Sequence, residues 1–69
     1  RTLYLKTRYN KYNNLREVLK EHSGKTPVVV YFEDRKKSFK LDQRLWVDAN
    51  DHNISRLEQF LGKENVKLN

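Results

Sequence analysis

Cysteine is absent from the 69 residues. No disulfide can staple the fold, and no thiolate can act as nucleophile or metal ligand. The two glycines, Gly24 and Gly62, stand far apart, which leaves no glycine-rich loop to cradle a phosphate. No apolar run approaches the roughly 18 residues of a membrane span. Acidic residues are outnumbered, with 9 Asp and Glu against 15 Lys and Arg and a net charge of +6. The chain opens at Arg1 without a signal peptide and reads as one domain, residues 1–69, of a longer chain. The missing cysteines favour an intracellular, cytoplasmic setting.

What is present is short and charged. A chain of this length buries only about 60% of its unfolded surface, so its core is thin. It has no second domain to frame a deep cleft, which counts against an enzyme. The charge is polarised. Residues 1–40 carry eleven Lys and Arg against four Asp and Glu, a balance of 11 − 4 = +7, and residues 41–69 carry four against five, or −1. A basic half of this kind steers a polyanion or an acidic protein surface, or simply keeps the domain solvated.

The apolar pattern places the elements. "TLYLK" alternates with the period of a strand, Leu3 and Leu5 on one side and Tyr4 and Lys6 on the other. "TRYNKYNN" breaks that period and offers Asn10 as a helix N-cap. Tyr12, Leu15, Val18, Leu19 and His22 then recur at helical spacing, and Gly24 reads as a left-handed cap closing the helix. Pro27 ends any helical option. "VVVYFE" is the strongest strand, with Val28, Val30 and Phe32 on one face and Val29, Tyr31 and Glu33 on the other. "DRKK" is a charged turn. "SFKLD" returns with Phe39 and Leu41 inward, and "LWV" extends it or adds a short strand. Asn50 or Asp51 caps a second helix with Ile54, Leu57, Phe60 and Leu61 on its apolar side, ended by Gly62. "NVKLN" is a last strand.

The order is β-α-β-β-(β)-α-β. The expected fold is α+β: a small, mostly antiparallel sheet with two helices on one face, in the split β-α-β, ferredoxin-like plan. Its expected core is Leu5, Leu15, Leu19, Val30, Phe39, Leu57, Leu61 and Val66.

No catalytic, metal or cofactor site is signalled. His22 and His52 lack metal-ligand spacing and read as a half-buried helix residue and a surface residue. Asp48 and Asp51 precede a helix, where capping and the helix dipole account for them. The candidate contact residues are cationic and aromatic. Arg35, Lys36, Lys37 and Lys40 cluster on the hairpin, and Tyr4 and Tyr31 lie on the outward side of the strands with Lys6, Val29, Lys40 and Lys67. Such a set can stack bases and neutralise phosphates, or it can lie under a neighbouring domain.

The succession "GKTPVVVYFE", "LWVDAND" and "LEQFLGKENVKLN" resembles the C-terminal domain of the bacterial DNA polymerase III alpha subunit, the segment that follows an oligonucleotide-binding barrel. Gly24, Pro27, Val28, Trp46, Val47, Leu57, Leu61, Gly62, Asn65 and Val66 fall in the family's order. The resemblance implies a non-catalytic domain that docks the polymerase to the tau subunit of the clamp loader. It also implies single-stranded DNA nearby, other replisome proteins as partners, no membrane and a monomeric isolated domain. "QRLW" at Gln43 to Trp46 is read as a tryptophan packing on the sheet rather than as a clamp-binding motif.

Overall fold

A computed structural model describes residues 1–69. The elements in chain order are β1 (Leu3–Thr7), α1 (Tyr12–Lys20), β2 (Ser23–Thr26), β3 (Val28–Phe32), β4 (Lys37–Lys40), α2 (Asp51–Leu61) and β5 (Val66–Leu68), with single 3-10 turns at Tyr9–Lys11, Gln43–Leu45 and Lys63–Asn65. Four strands form one sheet in the order β4-β3-β1-β5. β1 runs parallel to β3, with Leu3 opposite Val28 and Thr7 opposite Phe32. The outer pairings, β1 with β5 and β3 with β4, are antiparallel. The fold is therefore α+β and mostly antiparallel, as the pattern implied.

The neighbour order differs from the split plan. In that plan the strand after the hairpin turn lies between the two parallel strands. Here β1 and β3 hydrogen-bond directly, and β4 sits at the edge. The reason is in the residues. Every residue of β4, "KSFK", is exposed, whereas β1 and β3 alternate buried with open positions along their whole length. A central strand has neighbours on both sides and a covered face, and Lys37–Lys40 cannot supply that without burying charge.

One apolar cluster joins the sheet to both helices. Leu3, Leu5, Val28, Val30 and Phe32 on the covered face pack with Leu15 and Leu19 of α1, Leu57 of α2, and Leu41, Leu45 and Val47 of the connection. Of the expected core, Leu61 and Val66 are only partly buried against this cluster. Phe39 is a correction. It sits opposite Val30 on the covered side, yet is 49% exposed, because it stands on the edge strand beyond the reach of the helices.

The local signals also divide. Asn50 caps α2 as expected, accepting from the Asn53 N–H at 2.8 Å, and Gly62 ends that helix at φ 97°. Asp48 and Asp51 sit at this helix start, with the Asp48 main-chain carbonyl accepting from Asn53 Nδ2. Asn10 does not cap α1. It lies inside the 3-10 turn, and Lys11 takes the capping position without a side-chain bond. Gly24 is not a helix cap either. It lies within β2, and an added Cβ would fall 2.2 Å from the backbone nitrogen of Asp48, so the glycine permits a close crossing of two backbones. "LWV" forms no sheet strand. Its Val47 makes isolated bridges to Ser23 and Thr26, and Trp46 Nε1–H donates to the Leu41 carbonyl at 3.1 Å.

No helix is long and apolar enough to cross a membrane, and no His, Cys, Asp and Glu group together in a way that could hold a metal ion.

Candidate functional site

Both helices cover one side of the sheet and leave the other open. Because side chains alternate along a strand, the residues between the core positions of β1 and β3 all face this open side. The register sets them in two rows. Lys40, Val29, Tyr4 and Lys67 run across β4, β3, β1 and β5, and Ser38, Tyr31 and Lys6 run beside them. Tyr4 and Tyr31 are diagonal neighbours on the two central strands. Tyr4 is 42% exposed, and Tyr31 is half-buried. Lys6, Lys40 and Lys67 make no ion pair, and Glu33, next in the β3 alternation, lies 3.9 Å from Arg8. The open face is thus two phenol rings and a valine among three free ammonium groups.

The candidate residues chosen from the sequence separate onto two surfaces. Tyr4, Tyr31 and Lys40 belong to the open face. Arg35, Lys36 and Lys37 form the hairpin tip, and their local geometry turns them elsewhere. Lys36 takes a positive φ of 53°, which tightens the β3–β4 turn. Its N–H donates to the Phe32 carbonyl at 2.7 Å. Lys37 pairs with Phe32, so its side chain lies on the helix side of the sheet. Arg35 places its guanidinium 4.1 Å from the centre of the Tyr9 ring, a cation–π contact.

Around that contact is a group of aromatic residues that sequence reasoning missed. The rings of Tyr9, Tyr12 and Phe39 each lie within 5.3 to 5.7 Å of Phe32, all edge-on or tilted. The Tyr9 N–H donates to Asp34 Oδ1 at 2.9 Å, which ties the 3-10 turn to the hairpin. The only advance sign was the excess of aromatics, since Tyr9 and Phe39 come from separate elements and meet only in the folded chain.

At one end of this cup stands Asp42. Its carboxylate accepts from the Arg44 backbone N–H at 2.9 Å and from Arg44 Nε at 3.0 Å. The backbone bond first, and the guanidinium second, hold Asp42 below its ordinary pKa of 3.8.

The sequence is similar to known proteins over most of its length. Over 54 residues, 78% of this chain, the sequence is 39% identical to the DNA polymerase III subunit alpha of Halalkalibacterium halodurans. It is 35% identical over the same length to that of Bacillus subtilis. By sequence, this is a segment homologous to DNA polymerase III alpha. The chain spans about 5% of the length of these polymerase III alpha relatives. No family model matches, and no solved structure matches.

Proposed function

We propose that this chain is a non-catalytic interaction domain of a replicative DNA polymerase alpha subunit, lying at its C-terminal end and docking to the tau subunit of the clamp loader. The observation that carries the reading is the open sheet face. Tyr4, Val29 and Tyr31 present apolar and aromatic surface that a partner would cover, and Lys6, Lys40 and Lys67 suit an acidic counterpart. Arg35, Lys36 and Lys37 on the hairpin add long-range attraction, which acts mainly on the rate of association. On this reading the DNA-directed polymerase chemistry belongs to the parent protein outside this segment.

A second reading is favoured by the diagonal placing of the two tyrosines. Two rings on adjacent strands, bordered by unpaired lysines, form a platform for stacked bases with phosphates alongside. On that reading the face holds single-stranded DNA near the polymerase.

The discriminating experiment uses the full-length polymerase subunit carrying Tyr4→Ser with Tyr31→Ser, and separately Arg35, Lys36 and Lys37 all replaced by serine. Binding to purified tau and to an oligo-dT strand is measured at two salt concentrations. Docking to tau predicts that the tyrosine variant loses tau, and that the hairpin variant associates more slowly while dissociating at the parent rate. DNA binding instead predicts a steep salt dependence whose slope falls by roughly one unit per phosphate contact removed. Unchanged affinity for both ligands with the fold intact would refute both readings.

A further inference from the structure

The second surface, on the helix side of β4, has its own chemistry and stands independently of the polymerase reading. Phe32, at 3% exposure, is the floor of a cup. Tyr9, Tyr12 and Phe39 are its walls, and the open hollow they line with Leu41 and Asp42 measures about 360 Å³. Tyr9 and Phe39 remain nearly half exposed, a costly arrangement for two aromatic rings on so small a domain. Arg35 and Lys37 border the adjoining hollow over Phe32, between Tyr9 and Phe39, and neither has an ion-pair partner. Of the carboxylates nearby, Asp42 is paired with Arg44, and Asp34 accepts from the Tyr9 N–H and keeps its charge. Arg35, Lys36 and Lys37 outnumber Asp34 there, so the rim is net positive beside an apolar floor.

β4 is also an edge strand. The Leu41 N–H donates inward to the Val28 carbonyl at 2.9 Å. In an antiparallel pair the residues alternate between facing the partner and facing away. Ser38 and Lys40 therefore turn their N–H and C=O groups to the free edge, directly beside the cup.

We propose that the cup and the free β4 edge together bind an extended acidic segment of another protein, which adds to β4 as a further strand and seats one apolar side chain against Phe32 between Tyr9 and Phe39. Main-chain bonds to Ser38 and Lys40 supply the strand pairing. The apolar anchor displaces water from the cup, and flanking carboxylates meet Arg35 and Lys37. This is recognition by strand addition, with a pocket for an alternate side chain setting specificity.

The geometry favours a peptide over a nucleic acid at this place. A base needs an open ring face on which to stack. Here the rings meet Phe32 at 56° to 85°, and the Arg35 guanidinium already lies over Tyr9. A cup of edge-on rings accommodates a side chain instead.

The test uses the full-length protein that carries this segment and three fluorescein-labelled probes. One is a short acidic peptide with a single central phenylalanine, one is the same peptide with alanine at the centre, and one is an oligo-dT strand. The phenylalanine peptide is expected to bind, and the alanine peptide to bind at least about tenfold more weakly, as loss of a buried anchor dictates. Phe39→Ser should weaken the first probe to a similar degree, and Tyr4→Ser on the opposite face should leave it unchanged. Phe39 is half exposed, so the fold should survive its replacement. A second variant leaves the aromatics in place: Arg35→Glu with Lys37→Glu should abolish binding of the acidic peptide and create binding of its lysine-substituted counterpart. Equal affinity for the phenylalanine and alanine peptides would overturn the proposal. So would indifference to Phe39→Ser, or binding of oligo-dT that Phe39→Ser removes, the last of which would assign the cup to nucleic acid.

Discussion

Replacing Gly24 with alanine should strongly destabilise the fold, although the usual effect of that change outside a left-handed position is favourable. Gly to Ala normally stabilises by about 0.4–1 kcal/mol, because the unfolded chain loses freedom. At Gly24 the new methyl would lie 2.2 Å from the Asp48 backbone nitrogen, and 2.5 Å from both the Asp48 Cα and the Val47 carbonyl carbon. These are backbone atoms, so no side-chain rotation relieves the overlap. The Val47–Asp48 segment must retreat, but two hydrogen bonds hold it, Gly24 N–H to the Trp46 carbonyl at 3.0 Å and Asp48 N–H to the His22 carbonyl at 2.9 Å. Between them Val47 is fully buried in the core. Overpacking costs about 1–3 kcal/mol, and each weakened bond adds about 1 kcal/mol. After the entropic gain the net loss is about 2–4 kcal/mol. For a domain of this size each kcal/mol lowers the Tm by about 4–8 °C, so thermal unfolding followed by circular dichroism should shift down by about 8–30 °C. A Tm equal to or above the parent's would show that the two backbones do not cross this closely, and that Gly24 is there for another reason.

Two further outcomes are expected. Leu57 is the one fully buried apolar residue of α2, so Leu57→Ala should cost about 2–5 kcal/mol, read as a fall in the urea midpoint; a shift of a degree or two in Tm would mean that α2 is peripheral. Asp42 should titrate below 3.8 by carbon-detected NMR, and its folded-state interaction should be present above that pH and lost as the pH falls through the lowered value. Because the backbone N–H is the larger cause, Arg44→Ala should return the midpoint only part of the way, and a complete return would place the effect in the guanidinium.

What could be read in advance follows from the range of the interactions. β3, β5 and α2 were legible because their signals are local: β-branched alternation in "VVVYF", the asparagine before "DHNISRLEQFL" and the glycine after it. The lateral order of the strands was not, since alternation shows which residues share a face but not which strand lies beside which. The charge on "KSFK" was the available clue that this strand belongs at an edge. Gly24 was misread for a related reason. A glycine after a helical stripe has the form of a cap, and only the approach of Val47 and Asp48 from 23 and 24 positions along the chain (47 − 24 and 48 − 24) reveals its other use. The open face could be assigned residue by residue from strand period alone. The aromatic cup could not, because it joins a 3-10 turn to an edge strand.

The pairing of Leu3 with Leu68 has a consequence for how the chain reaches this fold. The β3–β4 hairpin closes across a handful of residues, so its contacts are local. β1 finds its first neighbour only when Val28 arrives, and its second only when the chain has closed on itself across 68 − 3 = 65 positions. Closure entropy over that span is lost before the contacts reward it, and folding rates fall as contacts become more distant in sequence. The domain is small, yet its central strand stays half-paired until its last residues are in place. Folding should therefore be slow for its size, and β1, carrying Leu3 and Leu5, is the strand left open to wrong partners while it waits.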